Sequence, residues 1–360
     1  GEFKPLTTYG YNIGSQPSST YTGYTAVMDA LGNVYTPGIQ SPWKMFKTTP
    51  AGVTTEFLTH TNIVIYKMVI DSTGNAYFEG RTSGWSKFYK ISGNNTTGLS
   101  NTYSVYLDFA QVNGVGGNPN PHNLCIDRDD NLHFVLDDDY LYKIVDASQG
   151  PVNDSSSSAI ELVVSSMPIS ISDIAFNSEN EIFISSWPGF IYKVVNNTPV
   201  VFAGGGSQSE NYDGTGAEAR FVQLRGMVFD RQDNLYIVSE ETIRKVTPDA
   251  VTTTVAGQVG VQQMRFHVDA LRAAFYVGVS IMMSKYGHIY IRDTIFGIAV
   301  LGLPPIMVTE ATLDITPSVN VRNNTNDSMG GLLRITNSRG DNAGVASDEV
   351  GEIRFTANDS

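Results

Sequence analysis

The stretch Val228-Phe229-Asp230-Arg231-Gln232-Asp233-Asn234-Leu235-Tyr236 reads as an apolar pair, a turn and the start of an alternating strand. The same frame occurs six times. Val27-Met28-Asp29 leads to Gly32-Asn33-Val34-Tyr35, and Val69-Ile70-Asp71 to Gly74-Asn75-Ala76-Tyr77. Cys125-Ile126-Asp127 leads to Asn131-Leu132-His133, Ala175-Phe176-Asn177 to Glu181-Ile182-Phe183, and Met282-Met283-Ser284 to Gly287-His288-Ile289-Tyr290. In every copy the turn-opening residue stands six positions before a ring. Asp or Asn opens a turn by bonding its own backbone, and Gly-Asn or Asp-Asn supplies positive φ, so the flanking strands are antiparallel neighbours. A third strand follows, with a lysine after an apolar or aromatic pair at Lys47, Lys90, Lys143 and Lys193, and with Arg244-Lys245 in the fifth copy. A β-branched fourth segment, such as Val251-Thr252-Thr253-Thr254-Val255, completes the unit.

The turn residues Asp29, Asp71, Asp127, Asn177, Asp230 and Ser284 are separated by 42, 56, 50, 53 and 54 residues, the size of a four-stranded propeller blade. The expectation is an all-β chain: a six-bladed β-propeller over residues 1–305, followed by a short β-rich stalk over 306–360. Either Thr7-Thr8-Tyr9 or Ile306-Met307-Val308-Thr309 should supply the outer strand of the sixth blade. The residues two before each turn (Val27, Val69, Cys125, Ala175, Val228, Met282) are mostly small or β-branched, as an innermost strand crowded at the axis requires. Cys125, the single cysteine, is then a core residue.

Composition narrows the partners. The 360 residues carry 36 acidic and 23 basic side chains, a net charge of −13, which repels a phosphate backbone and argues against nucleic acid. No apolar run is long enough to insert in a membrane as a helix. Hydrophobic residues at 41% and charged residues at 16% describe a large core under a neutral, polar surface. Gly1-Glu2-Phe3 reads as a cloning remnant and Asn358-Asp359-Ser360 as a cut end, so both termini are expected to be truncated.

Two resemblances add to this. Val201-Phe202-Ala203-Gly204-Gly205, Tyr212-Asp213-Gly214-Thr215-Gly216-Ala217-Glu218-Ala219-Arg220-Phe221 and Ile243-Arg244-Lys245-Val246 closely resemble bacterial NHL-type propeller repeats. The sixth copy repeats the frame, because Phe275 precedes Ser284 by nine as Phe221 precedes Asp230. Blades five and six carry the likeness, while one to four keep only turn and strand. That family is mostly a binding scaffold, so the resemblance implies fold more than function. Gly330 to Gly340 and Val350 to Ser360 look like the stalk just upstream of the intramolecular-chaperone peptidase domain of phage tail fibres, spikes and some large-virus proteins. This second likeness implies a homotrimer and a place on the virion surface or otherwise outside the cell.

Candidate chemistry is sparse. Asp127-Arg128-Asp129-Asp130-Asn131 places oxygens at alternate positions as a calcium loop does, but lacks the Gly and the distal Glu of such a loop and coincides with a plain turn elsewhere. Some six-bladed propellers are lactonases or lyases whose axial metal is held by Asp, Asn and Glu of the inner strands. The comparable positions here, four before each turn, are Thr25, Lys67, Asn123, Asp173, Gly226 and Ser280, and two ligands beside a lysine suit a divalent ion poorly. No nucleophile-base spacing surrounds the five histidines. No catalytic residue, metal or cofactor is expected. All three tryptophans, Trp43, Trp85 and Trp187, fall between the second and third strands of their blades, so they should share one rim. Small polar flanks favour exposed indoles that stack on sugar rings; the alternative is that each indole caps its blade's core. The expected function is a fibre or spike head that binds a host-surface glycan or protein through these three residues. A structural docking module and a glycan-cleaving spike are the alternatives.

Overall fold

The computed structural model describes residues 7–9, 25–37, 43–50, 53–60, 63–81, 86–108, 121–136, 140–144, 160–165, 171–205, 210–261, 270–275, 278–284, 287–293 and 297–302. The described residues form six antiparallel sheets, the blades of a β-propeller. Blade 1 runs Val27–Met28, Val34–Pro37, Trp43–Thr48 and Thr54–His60, and blade 2 Val64–Ile70, Ala76–Arg81, Ser86–Asn94 and Gly98–Asp108. Blade 3 is Pro121–Ile126, Leu132–Leu136, Tyr140–Ile144 and Ile160–Val164, and blade 4 Ile171–Phe176, Ile182–Ser186, Phe190–Val195 and Thr198–Ala203. Blade 5 is Leu224–Phe229, Leu235–Ser239, Thr242–Val246 and Val251–Gly257, with Gly214–Thr215 added as a fifth, outer strand. Blade 6 holds Gly278–Met283, Ile289–Asp293 and Gly297–Gly302, and its outer strand is Thr7–Tyr9, where Thr8 faces Leu301. The N-terminal segment thus closes the ring. The stalk expected over 306–360 lies outside the described residues.

Six hydrophobic clusters lie between successive blades. Tyr35 and Met45 pack with Met68 and Phe78; Tyr77 and Phe88 with Leu132 and Phe134; Cys125 and Val135 with Ile174 and Ile184. Phe183 and Ile191 meet Met227 and Phe229, Val238 and Ile243 meet Phe275 and Ile291, and Ala26 and Val34 meet Met282. The last cluster joins blade 6 to blade 1. Each ring buried this way contributes about 2 kcal/mol from lost apolar area.

The six-residue spacing has a physical cause. Asp29 accepts the amides of Leu31 and Asn33 at 3.0 and 2.8 Å, and its second oxygen accepts the Asn33 side chain at 2.8 Å and the Tyr35 hydroxyl at 3.0 Å. Asp71 and Tyr77 repeat this, as does His133, whose Nε2 lies 3.0 Å from Asp127. The third-strand lysine then sits over the ring: Lys47, Lys90, Lys193 and Lys245 lie 5.8, 5.1, 5.7 and 5.9 Å from the centroids of Tyr35, Tyr77, Phe183 and Tyr236. Turn, second strand and third strand are therefore coupled within one blade. Positive φ falls on Gly32, Gly74, Asp130, Asn180, Asp233 and Gly287, the fourth residue of each turn. Where that residue has a side chain it ties the blade to the one before. Asp130 accepts from Ser72, Asn180 accepts the Arg128 amide at 2.8 Å, and Asp233 accepts the amide and hydroxyl of Ser178 at 2.8 and 2.6 Å.

The segment carrying the strongest sequence likeness is structural. Phe221 and Phe275 are both fully buried, between blades 4 and 5 and between blades 5 and 6, beside Ala219 and Ala273. Arg244 has no solvent exposure; it donates to Asn211 at 3.0 Å, to the Arg220 carbonyl at 3.0 Å and to Asp213 at 2.6 Å. Its guanidinium also lies 5.3 Å from the Phe221 ring centroid.

Candidate functional site

The inner strands of all six blades surround a cavity of about 1830 Å³ along the propeller axis. In blade 4 the first residue of the inner strand, Ile171, pairs with Ser186, the last of the second strand. The loops between second and third strands therefore emerge at the end where the inner strands begin, here called the upper face. The repeated Asp turns lie on the lower face.

Near the upper mouth the axial positions come together. Lys67 of blade 2 reaches across to Asp173 of blade 4 and forms an ion pair with its Oδ1. Asp173 Oδ1 also accepts the Ile174 amide at 2.9 Å, and Oδ2 accepts the Met227 amide of blade 5 at 2.8 Å. Burial works against the Lys67 charge, but the Asp173 carboxylate outweighs it and raises the ammonium above its ordinary pKa. Asn123, in the left-handed region at φ 55°, turns its amide to the Ile171 carbonyl at 3.3 Å. Ser280 accepts the Ala26 amide at 3.2 Å and so links blades 6 and 1. Gly226 leaves room for blade 6, since a Cβ there would stand 3.1 Å from the Ile281 amide nitrogen.

This donor set does not fit the axial divalent metal of lactonase-type propellers. Both oxygens of Asp173 already accept from N–H groups, and the nearest cation is the lysine itself. The Asp127 turn is closed in the same sense: its oxygens accept from Asp129, Asn131 and His133. Burial pushes that carboxyl up, but the hydrogen bonds from His133 and Asn131 outweigh it and hold it down at about 2. Among the described residues no group of three or more His, Cys, Asp or Glu is placed to hold a metal ion. Cys125 is buried between blades 3 and 4, and burial pushes its thiol up to about 12, which makes it inert as a nucleophile.

Of the three tryptophans, Trp187 sits in the upper-face turn between Ile182–Ser186 and Phe190–Val195 and is 55% exposed. With more than half of its surface open to solvent, it stands away from the buried core of its blade. Its loop is held from below: Gly189 donates to the Ser186 carbonyl at 2.9 Å, and a Cβ on Gly189 would fall 2.3 Å from the Phe221 carbonyl oxygen. Gly189 also takes φ 127°, which only glycine adopts readily. Trp43 begins the third strand of blade 1, just beyond the last pairing of that strand with the second, so its backbone is at the upper face. The Trp43 side chain and all of Trp85 lie outside the described residues. Sequence reasoning placed Lys67 and Asp173 on the axis without pairing them, because the contact joins strands in blades 2 and 4. It missed Asp213 and Arg244 as partners because the segment that carries Asp213 folds back onto the outer edge of blade 5 from 31 residues upstream.

No family model matches the chain, and no curated protein matches it. Many solved structures share its fold. A protein of unknown function from Bacteroides thetaiotaomicron VPI-5482 superposes with a TM-score of 0.63 at 18% identity, over 80% of this chain and 70% of the other. An auxiliary nutrient binding protein from the same organism gives 0.58 at 15% identity, over 79% and 69%. A putative gluconolactonase gives 0.53 at 9% identity, over 83% and 94%. The shared feature is the β-propeller, and the neighbours span proteins named for binding and for catalysis.

Proposed function

We propose that this propeller is a recognition head, a viral fibre or spike head of NHL-like architecture, that binds a host-surface glycan on its upper face without cleaving it. The observation that carries the reading is the exposed indole of Trp187, raised on a loop that Gly189 and Phe221 fix in place. An indole that is 55% exposed to solvent suits the apolar face of a sugar ring. Trp43 and Trp85, in the equivalent loops of blades 1 and 2, would extend the rim. Stacking on one indole contributes on the order of 1 kcal/mol, so a single site is weak, and assembly through residues 306–360 into a homotrimer would convert weak sites into avidity.

The test is a glycan array probed with the protein and with Trp187→Ala. Binding to a defined set of glycans, lost in the variant while its melting temperature holds, is the expected result. Unchanged binding by Trp187→Ala would move the recognition surface elsewhere. Release of free sugar from a bound glycan would turn the reading towards a glycan-cleaving spike.

A further inference from the structure

The Lys67 ammonium carries three N–H donors and forms an ion pair with Asp173, while the Glu79 and Cys125 side chains also act on its charge. The side chain is largely buried and lines the axial cavity. Both oxygens of Asp173 are engaged, Oδ1 by Lys67 and Ile174 and Oδ2 by Met227. What the upper mouth presents inward is thus a fixed cation with unspent donors, and a ligand there must bring oxygen acceptors.

The charges around it decide which acceptors. Lys67 is balanced by Asp173, and Glu79 also lines this cavity. Arg225 also lines the cavity, and its guanidinium is directed to Gln223 at 3.3 Å. A ligand carboxylate at Lys67 would meet the Asp173 and Glu79 carboxylates, two of the six that line this cavity, whereas a pair of neutral hydroxyls accepts from the ammonium without that repulsion. A cavity of about 1830 Å³ has ample room for one sugar ring, which needs only part of the roughly 300–1,000 Å³ typical of small-molecule sites.

We infer that the upper mouth of the channel is a binding site for a neutral sugar unit, anchored by hydroxyl oxygens on the Lys67 ammonium, which Asp173 holds in position. The inference takes its ligand class from the glycan reading of the upper face and adds a second, polar anchor to it. Lys67 stands where a lactonase-type propeller would place its metal, so the site binds without a divalent ion.

The ammonium group can be watched directly by nitrogen-detected NMR of the whole protein, with the Lys67 signal identified by its absence in Lys67→Met. Methyl glycosides of glucose, galactose, mannose and N-acetylglucosamine are titrated in the presence of EDTA, with glucuronate as the acidic comparison. The expected result is a saturable shift of the Lys67 signal with at least one neutral glycoside, little shift with glucuronate, and at least tenfold weaker binding by Lys67→Met. No shift with any neutral glycoside, or a shift with glucuronate alone, overturns the inference. If Lys67→Met fails to fold, Asp173→Asn identifies the signal by displacing it, and the titration of the unaltered protein still decides. Trp187→Ala separates the two proposals. A Lys67 shift that persists while array binding is unaffected by that variant sinks the rim and leaves the channel site. Array binding that depends on Trp187 with no Lys67 shift does the reverse.

Discussion

His133 is the ring among the six repeats that exchanges a proton near neutrality, and it does so where four other blades carry Tyr and one carries Phe. With Nε2–H donated to Asp127, protonation must occur at Nδ1, which is buried and has no hydrogen-bond partner among the described residues. Burial lowers the His133 pKa, and the attraction of Asp127 does not fully offset it. The native state therefore resists a proton that the unfolded chain accepts at its ordinary pKa of about 6.5, so stability is full above that value and declines as pH falls through the window below it. His288, lowered by burial, adds in the same direction. His133→Gln, which keeps an N–H donor but cannot titrate, should lower the melting temperature slightly at neutral pH and flatten its fall between ~7 and ~5. An unaltered slope in a pH series of thermal melts would place the titration elsewhere. Arg244 supports a second prediction at this scale. Removing the carboxylate by Asp213→Ala leaves a fully buried guanidinium short of its charged acceptor, a loss of about 2 kcal/mol measurable by denaturant unfolding. The six-residue step from Asp29 to Tyr35 was visible in the sequence, but its cause was not. The hydroxyl returns to the turn only once the hairpin has folded, and the lysine that covers the ring comes from a third strand.

At the scale of the element, the Trp187 loop depends on a close approach that tolerates no side chain. Gly189→Ala would force a methyl against the Phe221 carbonyl at a φ of 127°. The expected cost is about 2 kcal/mol from backbone strain alone, with the indole displaced from its orientation. Thermal melts and the array together test this, because glycan binding should fall further than stability does; binding at the original level would show that the loop's geometry is not what recognition reads. The first two strands of blades 2 to 5 were legible because the inner one ends and the second begins at an Asp or Asn turn with a fixed distance to the next ring. The upper-face loops were legible only in composition. The small polar flanks in Ser185-Ser186-Trp187-Pro188-Gly189 suggest an exposed segment, but Ser185, Ser186 and Gly189 are buried and it is the indole that stands out to solvent; nothing in that string announces the close approach of Phe221, since Phe221 belongs to the next blade. The axial pair was half legible in the same way: Lys67 and Asp173 could be assigned to equivalent positions, but which inner strands approach each other across a ring is a property of the closed molecule.

For the whole molecule, six turns at nearly even spacing predicted the blade count, and the six inter-blade clusters follow from it. The closing strand was ambiguous. Thr7-Thr8-Tyr9 and Ile306-Met307-Val308-Thr309 are both β-branched enough to form it, and only pairing with Gly297–Gly302 distinguishes them. Deleting residues 1–12 should lower the melting temperature and promote association, because the outer edge of blade 6 would be left unpaired; a melting temperature equal to that of the intact chain would mean that another segment takes the place. The stalk reading is tested separately by light scattering on the chain and on a version ending at Pro304, with trimers expected for the first and monomers for the second, and trimers in both refuting the stalk as the sole contact. Closure by the N-terminus also has a consequence in time. On a ribosome, Thr8 is made before every other strand of the propeller and Leu301 only after every blade between them, so the propeller's first strand is the last to be seated. Until then blade 6 has an open edge and Thr7–Tyr9 has no partner of its own. Nascent chains stalled before residue 297 should therefore hold folded inner blades yet remain open to proteases at their N-terminal end, and the ring should acquire its full resistance in a single late step.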